Sequence, residues 1–386
     1  MLKEQFLLDP AVIFLNHGSF GACPRLVFEA YQAWQKKLEE QPVQFLGVEL
    51  DDRLHHARQV LGKYVGAPVS DLVFIPNATH GVNIVSRSLN LSPGDEVLTS
   101  DQEYGACNFA WDFVCQKTGA IYKQQPIRTP ITNPDEIIDQ FWQGVTDRTK
   151  VIYTSHICSP TALSFPVGEI CRRAREAGIL TLIDGAHAPG QVQLNLSSLQ
   201  ADFYTGNCHK WMLAPKGAGF LYARPDVQNM LEPLVVSWGY QSKSSLPRES
   251  AFIDLFQWTG TRDPAAALSV PVAIAFMHEH QWEQVQLCCH ELLKDTMQRI
   301  SSLTGYPPLY PLASDLFYQM GTIPIPKVRD LNELKQGLLH EHHIEIPTID
   351  WNNAHFLRLS VQGYNSTSDM DALINALAAL LPVMLA

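Results

Sequence analysis

Short apolar runs recur along most of the chain and alternate with stretches of helical spacing. LVFIP, EVLTS, KVIYTSH, ILTLID, ADFYTG and AGFLYA have the length and β-branched content of buried strands, and VGEICRRAREAG fits a helix between two of them. Such alternation predicts an α/β fold, a mostly parallel central sheet flanked by helices, over about residues 20–260. After WTGTRDP the pattern changes, and a helical stretch beginning AAALSVPVAIAFMHEH leads into mixed strands and helices ending in DMDALINALAALLPVML. That region predicts a smaller C-terminal α+β domain, residues 261–386, completed by residues 1–19. A chain of 386 residues, 46% hydrophobic, can bury one large core and a smaller one.

Two strand patterns lead to groups of opposite chemistry. Asp184 closes GILTLID, and Lys210 follows ADFYTGNCH. Open α/β sheets bind ligands outside the carboxyl ends of their strands, so both side chains are expected at one crevice. A lysine amine condenses with an aldehyde, and a carboxylate against a pyridine nitrogen keeps that nitrogen protonated; pyridoxal phosphate needs both. Taken alone, the pair also fits a helix N-cap and a surface charge. A phosphate site is expected at PNATHGVN, where a strand ending at Ile75 hands the chain to a helix whose first amides, those of Ala78, Thr79 and His80, can hold an anion. The alternative there is a simple N-cap at Asn77 or Thr79.

These segments occur together with FLNHGSFGACPR, EYGACNFAW at 103–111, SHICSPTALSFPV at 155–167, WTGTRDP at 258–264 and LRLSVQGYN at 357–365. In that order they resemble the pyridoxal-phosphate-dependent fold-type I, class V aminotransferase superfamily, and within it the isopenicillin N epimerase-like branch, over essentially the whole chain. The resemblance implies Lys210 as the Schiff-base lysine and Asp184 as the partner of the pyridine nitrogen. It puts Tyr104 over one face of the cofactor, with Ala186 beneath the other. Asn207 and His209 become further phosphate contacts, and Thr261 a contact to the neighbouring subunit's phosphate, which implies a homodimer. Arg358 becomes the clamp for a substrate α-carboxylate, with Asn16 and His17 lining the same pocket. His187 and Ser159 fall near the cofactor's phenolic oxygen; Ser159 replaces an asparagine of similar desulfurases, so the hydrogen bond to that oxygen is open between His187, Ser159 and water. Ordinary readings stand beside several of these: a structural histidine for His17, a turn-capping threonine for Thr261, a core tyrosine for Tyr104. Trp238 and Tyr240 fit either the pocket or the core.

The eight cysteines contain no CxxC pair, and Cys288-Cys289-His290 lies in a helical pattern that suggests core packing, so no metal site is expected. Desulfurases that pass sulfur through a persulfide use a mobile cysteine shortly before the carboxylate-binding arginine; here no cysteine follows Cys289. With 28 basic against 39 acidic residues, a net charge of −11, a nucleic-acid partner is not expected. No apolar run long enough for a membrane span and no signal-peptide pattern is evident, which suggests a cytoplasmic protein with no membrane association. The expected activity is chemistry at Cα or Cβ of a small-molecule amino acid substrate, by epimerisation or C–S β-elimination through a cofactor-stabilised carbanion. Transamination, and a non-catalytic protein that binds the cofactor or an amino acid, are the alternatives.

Overall fold

The computed structural model describes residues 2–240 and 250–385. The chain enters through β1 (Ile13–Phe14), which lies outside the main sheet. It then builds a seven-stranded sheet from β2 (Leu72–Ile75), β3 (Glu96–Ser100), β4 (Ile121–Gln125), β5 (Thr149–Ser155), β6 (Leu180–Gly185), β7 (Phe203–Asn207) and β8 (Gly219–Ala223). The order is β2-β8-β7-β6-β5-β3-β4, with β8 antiparallel to both neighbours and the other pairings parallel. Successive residues serve opposite faces, as the pleat requires. Ile152, Ile183, Tyr204 and Phe220 enter one core, while Val151, Tyr153, Leu182, Phe203 and Leu221 enter the other. Burial on both faces explains why these strands are continuous apolar runs. The edge strand β4, IYKQQ, is half-exposed and polar, and escapes that pattern.

Three helices between the strands bear on the site: α1 (Ala78–Ser88), α2 (Gly105–Thr118) and α3 (Val167–Glu176). Asn77 caps α1 by accepting from the His80 amide at 2.9 Å, leaving the helix start at the carboxyl end of β2. Beyond the sheet, α4 (Trp282–Thr304) buries Cys289 but leaves Cys288 exposed, so core packing holds for one cysteine of that pair. The next strands are β9 (Met320–Ile325), β10 (Ile344–Glu345), β11 (Thr348–Trp351) and β12 (Ala354–Ser360). They give a three-stranded antiparallel sheet, β11-β12-β9, and a parallel pair in which β10 takes β1 as partner. A further bridge joins Asn16 to Ser360, which ties the FLNHGSFG segment to β12 and its Arg358. The final helix, α5 (Thr367–Met384), starts with a capping box between Ser366 and Asp369. Among the described residues no helix is long and apolar enough to cross a membrane, and no cluster of histidine, cysteine and acidic residues could hold a metal ion.

Candidate active site

Parallel pairing sets the positions of the central residues. Asp184 lies opposite Ser155 across β5–β6 and opposite Thr205 across β6–β7, near the carboxyl ends of all three strands. Its carboxylate is buried, accepts from the Ala186 amide at 2.9 Å and the Tyr153 hydroxyl at 3.2 Å, and takes a weaker contact from the Cys107 thiol at 3.7 Å. None of these partners is a cation. Burial raises its pKa, and the Ala186 amide and the Lys210 charge act against that rise.

Lys210 follows β7 on a turn, and its Nζ lies 3.3 Å from His187 Nε2. Desolvation, reinforced by the Arg358 charge, brings its amine down to about 7. A lysine near neutrality is a competent nucleophile and base at physiological pH. His187 is held neutral, its pKa pushed well below the ordinary value by burial and then by Lys210.

Around these groups lies a cavity of about 310 Å³, near the lower end of small-molecule sites, ~300–1,000 Å³. Its walls include Ala78, Thr79, Tyr104, Ser159, Asp184, Ala186, His187, Asn207, His209 and Lys210, all anticipated from the sequence, together with Ser19, Phe20 and Lys216, which were not. At the start of α1 the Ala78 amide is taken by Asn207 Oδ1 at 2.8 Å and the His80 amide by Asn77. The Thr79 amide between them has no hydrogen-bond partner among the described residues and borders the cavity. His209 donates from Nδ1 to the Ala218 carbonyl at 3.0 Å, which leaves Nε2 for a ligand.

Arg358 stands on β12, nine-tenths or more buried. It donates from Nη1 to the Ser159 carbonyl (2.8 Å) and hydroxyl (3.0 Å), and from Nη2 to Ser19 Oγ (3.0 Å). Its Nε is buried with no hydrogen-bond partner among the described residues, and desolvation lowers the guanidinium to about 10. The Ser159 hydroxyl therefore engages Arg358.

Other anticipated residues lie elsewhere. His17 is fully buried, with Nδ1 3.0 Å from the Tyr364 hydroxyl and Nε2 3.1 Å from the Lys210 carbonyl; it braces the lysine's backbone and does not line the cavity. Asn16 is buried and donates to Glu345. His80, the exposed Thr261 and Arg358 are not among the lining residues, although Arg358 reaches the wall through its bonds to Ser19 and Ser159. Trp238 and Tyr240 project from the surface, 82% and 54% exposed, and fill neither pocket nor core. Sequence reasoning missed Glu103, a buried carboxyl that accepts from Ser100, the Ser155 amide and the Ser155 hydroxyl; burial raises it to about 7. Its signal was its place next to Tyr104.

The sequence matches the family described as aminotransferase class V over residues 21–373. The chain belongs to the class V aminotransferase family. It is 35% identical to an isopenicillin N epimerase of Amycolatopsis lactamdurans, over 98% of this chain and 97% of that protein. It is 27% identical to a probable chloroplastic L-cysteine desulfhydrase of Arabidopsis thaliana, over 96% of this chain and 83% of that one. Among solved structures, the cysteine desulfurase CsdA of Escherichia coli superposes with a TM-score of 0.82 at 21% identity, covering 100% of this chain and 98% of that one, which shows a shared fold.

The enzymes of this family use pyridoxal phosphate, and the donor set here fits it. A lysine brought down to about 7 suits the aldehyde, and a buried carboxylate with no cation hydrogen-bonded to it among the described residues suits a protonated ring nitrogen. The free Thr79 amide at a helix start suits the phosphate.

Proposed function

We propose that this class V enzyme acts at Cα and Cβ of an amino acid, with epimerisation or C–S β-elimination as its reaction. One observation carries the reading: a buried guanidinium, Arg358, whose hydrogen bonds among the described residues go to serine oxygens alone and leave two of its five N–H groups unpaired, and whose partners Ser159 and Ser19 line the cavity that holds Lys210 and Asp184. A buried cation of this kind calls for an anion, and a substrate α-carboxylate supplies one in the planar geometry that guanidinium matches. Bound pyridoxal phosphate supplies an electron sink for a carbanion at Cα.

The chain's own groups do the rest. Arg358, held by Ser159 and Ser19, fixes the α-carboxylate and so orients the Cα–H bond. Lys210, its amine brought down to about 7 so that a large share is unprotonated at physiological pH, removes the Cα proton. Asp184, supported by Tyr153 and the Ala186 amide, would hold a proton on the ring nitrogen. Thr79, Asn207 and His209 would hold the phosphate. Tyr104, the one phenol among the described lining residues, would cover the ring and is the side chain we assign to returning a proton on the face away from Lys210. The similarity to an isopenicillin N epimerase favours epimerisation, and that to a cysteine desulfhydrase favours C–S cleavage. A persulfide relay is not proposed, because no cysteine follows Cys289.

The division into a large domain at 20–260 and a small one from 1–19 and 261–386 belongs to the same proposal, supported by the β1–β10 pairing. So does a homodimer in which Thr261 serves the neighbouring site. Borohydride reduction of the cofactor-loaded protein should place the adduct on Lys210 by peptide mass. A panel of L- and D-amino acids, cystine and cysteine S-conjugates should then show racemisation or release of a keto acid with loss of sulfur. Amino transfer alone, without either, would overturn the assignment.

A further inference from the structure

Trp211 directly follows the lysine and is fully buried, yet its indole N–H is aimed at a second ring. Nε1 lies 3.3 Å from Nδ1 of His187. An indole nitrogen is only ever a donor, so Nδ1 of His187 must be the acceptor and carries no proton. The neutral imidazole then has its one proton on Nε2, the nitrogen that faces Lys210 Nζ at 3.3 Å. That contact runs one way. A protonated lysine ammonium has no lone pair, and two donors cannot share one contact, so Lys210 makes this contact only as a neutral amine that accepts, and protonation of the lysine breaks it without moving the proton on His187.

The surroundings keep both rings in place. Gly190, at φ +92, lets its backbone lie against Trp211; a Cβ there would come within 2.3 Å of the Trp211 carbonyl. The His17 ring packs against the indole with centroids 4.9 Å apart. The His187 carbonyl accepts from Gln191 Nε2 at 2.7 Å, and Gln191 Oε1 in turn accepts from the Gln319 amide. The imidazole therefore cannot exchange its two nitrogens by turning over without losing the indole bond.

We propose that Trp211 is a positioning residue that fixes His187 as the Nε2–H tautomer, so that His187 presents a permanent hydrogen-bond donor to the cavity and never a base. In the loaded enzyme that donor suits an anionic oxygen of the bound cofactor, and the proton transfers of the reaction fall to Lys210. This last step rests on the reading that Lys210 carries pyridoxal phosphate; the tautomer itself does not.

The test begins on the full-length apoprotein labelled with ¹⁵N in histidine, with His187→Gln used to assign the His187 resonances. Shifts of an unprotonated Nδ1 and a protonated Nε2, constant between pH 6 and 8, are expected. The opposite tautomer, a mixture of both, or a doubly protonated ring would overturn the proposal, and this measurement needs no substitution at Trp211. The second arm compares Trp211→Phe in two backgrounds. In the parent it should weaken pyridoxal phosphate binding about tenfold, the worth of one hydrogen bond to a charged group, and shift the pH midpoint of the cofactor absorbance. In His187→Gln, whose amide donor has no tautomer to fix, the same change should alter affinity by less than about twofold. An equal loss in both backgrounds would make Trp211 a packing residue only. Borohydride mapping of Lys210 is read separately, so failure of the cofactor assignment is not mistaken for failure of the tautomer lock.

Discussion

Arg358 and Ser159, far apart in sequence, meet through two hydrogen bonds from a single nitrogen. Nη1 donates to both the carbonyl oxygen and the hydroxyl of Ser159, at 2.8 and 3.0 Å. The serine thereby fixes the guanidinium plane; Ser19 takes one Nη2 N–H, and the second Nη2 N–H and the buried Nε stay unpaired among the described residues. Replacing Arg358 by lysine keeps the charge and loses the fork, so KM for the amino acid should rise roughly 10- to 100-fold. Ser159→Ala removes one of the two bonds and should raise KM by about fivefold with little change in kcat. Steady-state kinetics on whichever substrate turns over separates these effects, and a kcat loss in Ser159→Ala without a KM change would contradict this role.

Asp184 and Tyr153 form a second dependent pair. The Tyr153 hydroxyl is one of the donors that keep a buried carboxylate ionised. Tyr153→Phe should move the carboxylate pKa further up, lower kcat/KM by about fivefold, and shift the acid limb of its pH profile to higher pH. Asp184→Asn, which cannot carry the charge at any pH, should lose roughly 100- to 1,000-fold in kcat, the range for removing a key electrostatic contact.

Lys210 makes the pH dependence of cofactor uptake predictable. Only the neutral amine attacks an aldehyde, and burial brings this amine from the ordinary 10.5 to about 7. The rate at which the apoprotein takes up pyridoxal phosphate should therefore climb through about pH 7 and level off by about pH 8, well below the range of an ordinary lysine. Stability follows the same shift with a definite sign. The unfolded chain binds the proton up to 10.5 and the folded apoprotein only up to about 7, so the charged lysine destabilises the fold most at and below pH 7. That penalty fades as pH rises toward 10.5. Lys210→Met apoprotein should melt a few degrees above the parent at pH 6, with the gap closing by about pH 10.

Much of the site was legible because its residues end strands or begin helices. Asp184, Lys210 and the first turn of α1 could be placed from apolar runs alone, since a parallel sheet puts strand ends together. What the sequence hid were contacts between distant side chains. Tyr153 is one apolar letter in a strand, and nothing in KVIYTSH says that its hydroxyl reaches Asp184. His17 illustrates the converse, because its glycine-rich setting suggested a pocket while both ring nitrogens are spent on Tyr364 and the Lys210 carbonyl. The edge strand β4 was invisible for a different reason: half-exposed and polar, it lacks the apolar signature of its neighbours.

The glycine of FGAC has a steric reason. Gly21 sits at φ +72, and a Cβ there would meet the His209 carbonyl at 2.1 Å and Lys210 Cα at 2.9 Å. Gly21→Ala thus combines left-handed strain with a backbone clash beside the lysine, and should destabilise the protein by about 2–4 kcal/mol while weakening cofactor binding. Gly94 provides the control, because it has φ +88 but no atom within 4 Å of an added Cβ. Gly94→Ala should lose only about 1–2 kcal/mol and leave cofactor affinity unchanged, as urea melts and a cofactor titration would record.

Thr261 is exposed and does not line the cavity of its own chain, so the proposed phosphate contact has to cross between subunits. Phe20, Phe109 and Val43, respectively 71%, 74% and 82% exposed, are large apolar side chains of the sort a second copy would cover. Two inactive variants can expose the crossing. Lys210→Ala lacks the lysine but keeps a sound Thr261, whereas Thr261→Glu keeps the lysine and sets a negative charge against the phosphate. In a mixed dimer, the site built on the intact lysine receives Thr261 from the Lys210→Ala subunit and should work. Random reassociation of equal amounts makes half the dimers mixed, each with one working site, so activity should return to about a quarter of the parent's. If Thr261 served its own subunit, every lysine-bearing site would also carry the glutamate, and mixing would restore nothing.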